Sequence, residues 1–127
     1  MSRSELIARA RRVKLLILDV DGVMTDGRII LTSNGGEIKN FDVRDGFGLV
    51  MAAQAGLQTA LITAERSSMV ARRAKRLRIN WVKQFARDKR KAFTECLSHF
   101  RLPPGSSAYI GDDLLDLPVL KRAGLSA

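Results

Sequence analysis

The 127 residues make one domain, 1–127, with room for a single core, and a hydrophobic content of 46% with only 10 glycines and 3 prolines excludes a disordered or fibrous chain. The net charge of +9, from 22 basic and 13 acidic residues, would draw nucleic acid, acidic lipid or a small anionic substrate. A single cysteine excludes an internal disulfide, no apolar stretch approaches bilayer length, and the polar start Met1-Ser2-Arg3-Ser4-Glu5 has no signal-peptide core, so a cytoplasmic location and no membrane partner are expected.

In chain order, a lead-in from Arg11 precedes a fully buried strand over Val13–Leu18. Ile29–Thr32 and Glu37–Val43 flank Ser33-Asn34-Gly35-Gly36, whose residues tolerate the positive φ of a tight turn, so a hairpin is predicted. A helix over Phe47–Ala55 closes at Gly56, and Thr59–Thr63 is a short apolar strand. Val70, Ala74 and Leu77 recur at helical spacing within Ser67–Arg78, and Ile79–Val82 is a strand. Asp88 opens a helix with Phe93, Cys96, Leu97 and Phe100 on one face, which places the cysteine in the core. Pro103-Pro104-Gly105 then breaks the chain before the strand Ser107–Ile110. A last helix has Pro118 near its start and Gly124 just past its end.

Strands alternating with helices predict an α/β, Rossmann-like parallel sheet with helices on both faces. The hairpin after the first strand interrupts the alternation, and it is expected to project as a flap or assembly arm. Ligands of such sheets sit beyond the carboxyl ends of the strands. There the chain offers Asp19 and Asp21, Thr63, Arg87-Asp88-Lys89, and Gly111-Asp112-Asp113 with Asp116 one turn on. Two carboxylates one residue apart raise each other's proton affinity unless a cation or a tuned environment holds them, so Asp19 and Asp21 read as a metal site, an acid/base pair, or both. With a hydroxyl and an ammonium at the same rim, the set suits phosphoryl transfer around Mg²⁺, with an aspartate as nucleophile.

Asp19-x-Asp21-Gly22-Val23-x-Thr25-Asp26, Thr63, Lys89 and Gly111-Asp112-Asp113-x-x-Asp116 resemble the four motifs of the haloacid dehalogenase (HAD) superfamily. Asp42-Val43-Arg44-Asp45-Gly46-Phe47-Gly48 and the run Gly111–Val119 resemble its capless branch, the 3-deoxy-D-manno-octulosonate (KDO) 8-phosphate phosphatases and related sialic-acid-pathway modules. The resemblance implies an HAD-like fold and a Mg²⁺-dependent phosphatase acting on a phosphorylated 2-keto sugar acid. In it Asp19 is the nucleophile and Asp21 the general acid/base. Mg²⁺ is held by Asp19, Asp112 and the backbone carbonyl of Asp21, and the phosphoryl group by Thr63 and Lys89. Asp113 orients Lys89 or a metal-bound water. It further implies a homotetramer joined through the Arg28–Phe41 hairpin.

Local readings stand beside these. Thr63 suits a helix cap, Lys89 a surface lysine, and Asp113 and Asp116 caps of the last helix. Arg44 either binds the substrate carboxylate or pairs with Asp42 or Asp45. After Thr63 the branch's Gly-Arg is replaced by Ala64-Glu65-Arg66, which makes Arg66 the candidate substrate-binding arginine. The branch also continues past its Gly-Leu-Ser (here Gly124-Leu125-Ser126) into a further strand and closing helix, so an open sheet edge is expected here. A catalytically weak assembly or regulatory module is the alternative function. Nucleic-acid binding through the basic helices is the third, disfavoured by the lack of aromatic interleaving or a recognition motif.

Overall fold

The computed structural model describes residues 1–127. Its elements are α1 (Arg3–Ala10), β1 (Leu15–Leu18), β2 (Ile30–Leu31), β3 (Glu37–Ile38), α2 (Val43–Gln54), β4 (Gln58–Ile62), α3 (Ser68–Arg76), β5 (Trp81–Lys83), α4 (Lys89–Phe100), β6 (Ser107–Ile110), α5 (Leu117–Leu120) and β7 (Leu125–Ser126). The sheet runs β5-β4-β1-β6-β7, every neighbouring pair parallel, and β2 and β3 form a separate antiparallel pair. This is the expected Rossmann-like α/β sheet with a hairpin inserted after β1.

Successive residues of a strand face opposite sides, and β1 uses both. Leu15 and Ile17 join Ala60, Ile62 and Tyr109 against Phe93, Cys96 and Leu97 of α4 and Val119 of α5. Leu18 and Leu61 face the other way, toward Leu49 of α2 and Val70 and Ala74 of α3. Each face therefore has its own core, and continuous apolar runs are what such a buried sheet needs. Cys96 is fully buried and free, and burial pushes its thiol up to about 12.

Several boundaries differ from the sequence reading. β1 begins at Leu15, not Val13, because Val13 N is spent closing the preceding helix on Ala10 O. That helix, α1, was not foreseen, although Ser2 and Glu5 form a capping box at its start. The helix read as Phe47–Ala55 starts at Val43, where Asp42 caps it through Arg44 N at 2.7 Å. Its early start removes Val43 from the predicted hairpin strand, and both hairpin strands shrink to two residues. The turn between them is as expected, with Gly35 at φ +83°. The helix over Ser67–Arg78 ends at Arg76, since Arg78 takes a left-handed φ of 55° and Ile79 N folds back on Ala74 O. The strand expected at Ile79–Val82 accordingly moves to β5.

The last helix is a 3₁₀ turn, Leu114–Asp116, followed by the single helical turn α5. Gly124 does not cap it. A Cβ there would overlap the Gly105 backbone, and Gly124 N donates to Pro104 O at 3.0 Å. Leu125 and Ser126, not foreseen as a strand, pair with Ala108 and Tyr109 as β7, which forms the edge of the sheet on that side. Phe93 is the largest side chain that the helix α4 buries completely. Phe93→Ala should lower the unfolding free energy by about 3–5 kcal/mol, read as a lower urea midpoint at unchanged slope.

Candidate active site

From β1 the chain proceeds outward through β4 to β5, then crosses back to β6 on the other side of β1. Its helices change face at that crossing, so the crevice between the carboxyl ends of β1 and β6 is the switch point where such sheets bind ligands. Asp19 follows β1 directly and is tied to β6 through Ile110 O at 2.9 Å. Asp112 lies two residues past β6. A Cβ on Gly22 would overlap the Asp112 carboxylate, so the glycine of the first motif is what lets the two loops meet. Its φ of +85° independently favours glycine.

Asp19 is buried, and its Oδ1 accepts Val20 N at 2.7 Å and Lys89 Nζ at 3.0 Å. Lys89 is the first residue of α4, capped by Asp88 through Lys91 N, and it is not a surface lysine: its side chain is 2% exposed. The same Nζ donates to Asp116 Oδ1 at 2.7 Å. Asp116, fully buried, also accepts the Tyr109 hydroxyl on Oδ1 and Asp113 N on Oδ2. Burial pushes the Asp19 carboxyl up to about 6, against the opposing pull of Lys89. Burial and then the Asp116 carboxylate hold the Tyr109 hydroxyl protonated far above its ordinary range.

Thr63 stands just past β4, buried, and its level is set by the β1–β4 register of Leu18 with Leu61. Its backbone pins the neighbouring loop, with N donating to Lys83 O and O accepting Ala86 N. Asp21 is partly exposed, and its Oδ1 accepts Lys39 Nζ at 2.6 Å. Lys39 reaches Glu37 Oε1 as well, at 3.2 Å, and these two bonds outweigh burial to hold its ammonium above the usual lysine range. Asp21, Lys39, Arg28, Glu65 and Arg66 line one cavity of about 380 Å³ between the hairpin and the loop after β4.

Two residues take the local one of the roles the sequence offered them. Asp113 does not touch Lys89: its Oδ1 caps Leu114 N, and the contact with Lys89 belongs to Asp116. Arg44 is outside the Asp21 cavity, 87% exposed, and binds Asp42 at 2.9 Å. Lys39 was not anticipated at all, and no local pattern marks it. Asp116 was visible as the last residue of its motif, yet only its helix-capping side was readable without knowing that Lys89 lies above it.

Carboxylate oxygens of Asp19, Asp112 and Asp116 lie within 4.8 Å of one another. Both oxygens of Asp116 are already hydrogen-bonded, whereas Asp19 keeps one oxygen free and Asp112 makes no bond within the chain. Hard, unneutralised oxygens so close together suit a Mg²⁺-sized cation, which Asp19 and Asp112 would hold.

A doubly wound sheet with carboxylates, a buried lysine and a threonine at its switch point defines an HAD-type phosphatase fold. No family model matches the chain. It is 42% identical over 123 residues to the KDO 8-phosphate phosphatase KdsC of Escherichia coli strain K12, covering 97% of this chain and 65% of that protein. The chain thus spans about two thirds of the length of the curated relatives it matches. The Yersinia pestis KDO 8-phosphate phosphatase structure superposes with a TM-score of 0.94 at 43% identity, over 96% of this chain and 66% of that one. The Moraxella catarrhalis enzyme, solved with magnesium, phosphate and KDO, gives a TM-score of 0.94 at 41% identity, over 97% of this chain and 71% of that one. The chain belongs to the KDO 8-phosphate phosphatase family of the HAD superfamily.

Because burial raises the proton affinity of Asp19, the folded state gains from its protonation. That gain is full below about pH 4 and is lost as pH rises through about 6. In EDTA, the parent should therefore lose up to about 3 kcal/mol of stability relative to Asp19→Asn as pH rises from 4 to 7, on top of a pH-independent cost to the variant from the lost Lys89 contact, with thermal unfolding of both proteins at each pH as the measurement.

Proposed function

We propose that the chain is a Mg²⁺-dependent phosphoric monoester hydrolase acting on a phosphorylated 2-keto sugar acid, KDO 8-phosphate or a related nonulosonate 9-phosphate. The observation that carries this reading is the buried Asp19 carboxylate, one oxygen fixed by Lys89 and Val20 N and the other free beside Asp112. A carboxylate so held is aimed, and it is desolvated enough to attack phosphorus.

In this reading one carboxylate oxygen of Asp19 bonds to phosphorus, the other being left to the metal, while the sugar oxygen leaves with the electron pair of its P–O bond. Asp21 protonates that oxygen, then takes a proton from the water that hydrolyses the aspartyl-phosphate. Lys89 and Thr63 hold the phosphoryl oxygens. Asp19, Asp112 and the carbonyl of Asp21 would hold the metal, and Asp113 would orient a water beside them. Bound Mg²⁺ supplies charge neutralisation for the phosphate and for the converging carboxylates. Arg66, in the Asp21 cavity, is suited to the substrate's acid group. Arg44 faces outward and would reach substrate only at a subunit boundary. Supporting the reading, the related Moraxella catarrhalis phosphatase was solved with magnesium, phosphate and KDO, and the Haemophilus influenzae phosphatase with cobalt.

The assembly is a homotetramer through the Arg28–Phe41 hairpin, in the cytoplasm. Ile29 and Leu31, on the outgoing side of the hairpin, are 79% and 72% exposed, more apolar surface than a solvated strand needs. No helix is long and apolar enough to cross a membrane. The arginines of α3 away from Val70 and Ala74 are accounted for as a solvated face, apart from Arg73, which donates to Asp42 O and lies over Phe41.

With KDO 8-phosphate and Mg²⁺, phosphate release is expected, falling at least about 100-fold in EDTA and in Asp19→Asn. Mg²⁺ binding without turnover would instead favour the assembly module. Leu31→Glu should convert the tetramer to smaller species, measured by sedimentation velocity.

A further inference from the structure

Lys39 is the one buried ion-paired lysine outside the Asp19 cluster. It leaves the hairpin just past β3 and turns inward, its side chain 8% exposed, to reach Asp21 Oδ1 at 2.6 Å and Glu37 Oε1 at 3.2 Å. No other group in the chain bonds the Asp21 side chain. Its neighbours in the turn are occupied among themselves: Gly22 N and Gly27 N both donate to Thr25 Oγ1. Asp21 is also 42% exposed, so without Lys39 nothing would hold it in one rotamer at the edge of its cavity.

We propose that Lys39 is the positioning residue for Asp21, fixing its Oδ1 so that Oδ2 is presented to the departing oxygen of the substrate. The proposal rests on the acid/base reading of Asp21 above. When Asp21 gives its proton to the leaving oxygen it becomes a carboxylate, and the new charge forms against the Lys39 ammonium. Glu37 keeps the lysine from swinging to solvent. A hairpin of two-residue strands thereby reaches into the chemistry through one side chain.

The leaving group separates this role from a structural one. An alkoxide needs the proton as the ester bond breaks, whereas p-nitrophenolate leaves without it. In the Mg²⁺-loaded chain, Lys39→Met should lower kcat/KM on an alkyl phosphomonoester by about 30-fold or more, but on p-nitrophenyl phosphate by less than about 3-fold. Lys39→Arg, which keeps the charge and a donor, should restore most of the loss. Equal losses on the two esters, or no loss on either, would overturn the proposal. If the unaltered chain turns over neither ester, the phosphatase reading itself fails and takes the role of Lys39 with it. A readout free of turnover is the thermal stability of Lys39→Met, Asp21→Asn and the double variant in EDTA. The two changes should be less than additive, and strict additivity would overturn the pairing.

Discussion

An ammonium that is 2% exposed has to be compensated, and the position of Lys89 depends on two carboxylates delivered by two different strands. Burying such a charge without a partner costs several kcal/mol, and removing one partner of a buried pair costs about 3–5 kcal/mol. The cluster is overcompensated: Asp19 and Asp116 bring two negative charges to one ammonium, and Asp112 stands close with none of its oxygens engaged. That surplus adds, as the smaller cause, to the burial that pushes the Asp19 carboxyl up to about 6 despite its contact with a lysine. It also makes the place hospitable to a divalent cation, which would supply the missing positive charge.

Backbone space decides whether those carboxylates can converge. Gly22 makes room for Asp112, and Gly111 makes equivalent room for Asp116, since a Cβ at either position would overlap the carboxylate. The two glycines sit in loops on opposite sides of the switch point, each yielding to a side chain from the β6 end of the sheet. The parallel order β5-β4-β1-β6-β7 brings the loops to one rim, and the glycines let them close on each other. Neither would suffice alone.

Much of this was readable from local pattern. β6 has its predicted limits, Asp88 caps the helix it was expected to open, and the buried strand that leads to Asp19 stands out as Leu15-Leu16-Ile17-Leu18. The strands are apolar because both of their faces are covered, and that fact is written in composition. What sequence left hidden are the long-range electrostatic pairs. Lys39 and Asp21 lie 18 positions apart and Lys89 and Asp116 lie 27 apart, with no periodicity linking either pair. The same limit misassigned the partner of Lys89: Asp113 and Asp116 are both acidic and both near a helix start, and only the turn Leu114–Asp116 decides which one points inward. The helix α1 was missed for a different reason. It buries no residue, its only large apolar side chains being the adjacent Leu6 and Ile7, so no core-facing stripe marks it beyond its capping box.

The hairpin joins these threads. Two residues per strand give a ladder too short to be stable by itself, since isolated two-stranded ribbons are marginal in water. Its order must come from what its two strands touch. On the outgoing side, Ile29 and Leu31 are exposed apolar surface that a second copy would cover in the proposed tetramer. Just past the returning strand, Lys39 is anchored between Asp21 and Glu37. Any packing that orders the outgoing side also steadies Lys39, because the pairing of Ile30 with Ile38 joins the two. Assembly and the placement of the proposed acid are then two consequences of one ordered segment, and weakening the hairpin interface should be felt at Asp21 before it is felt at the more deeply buried Asp19.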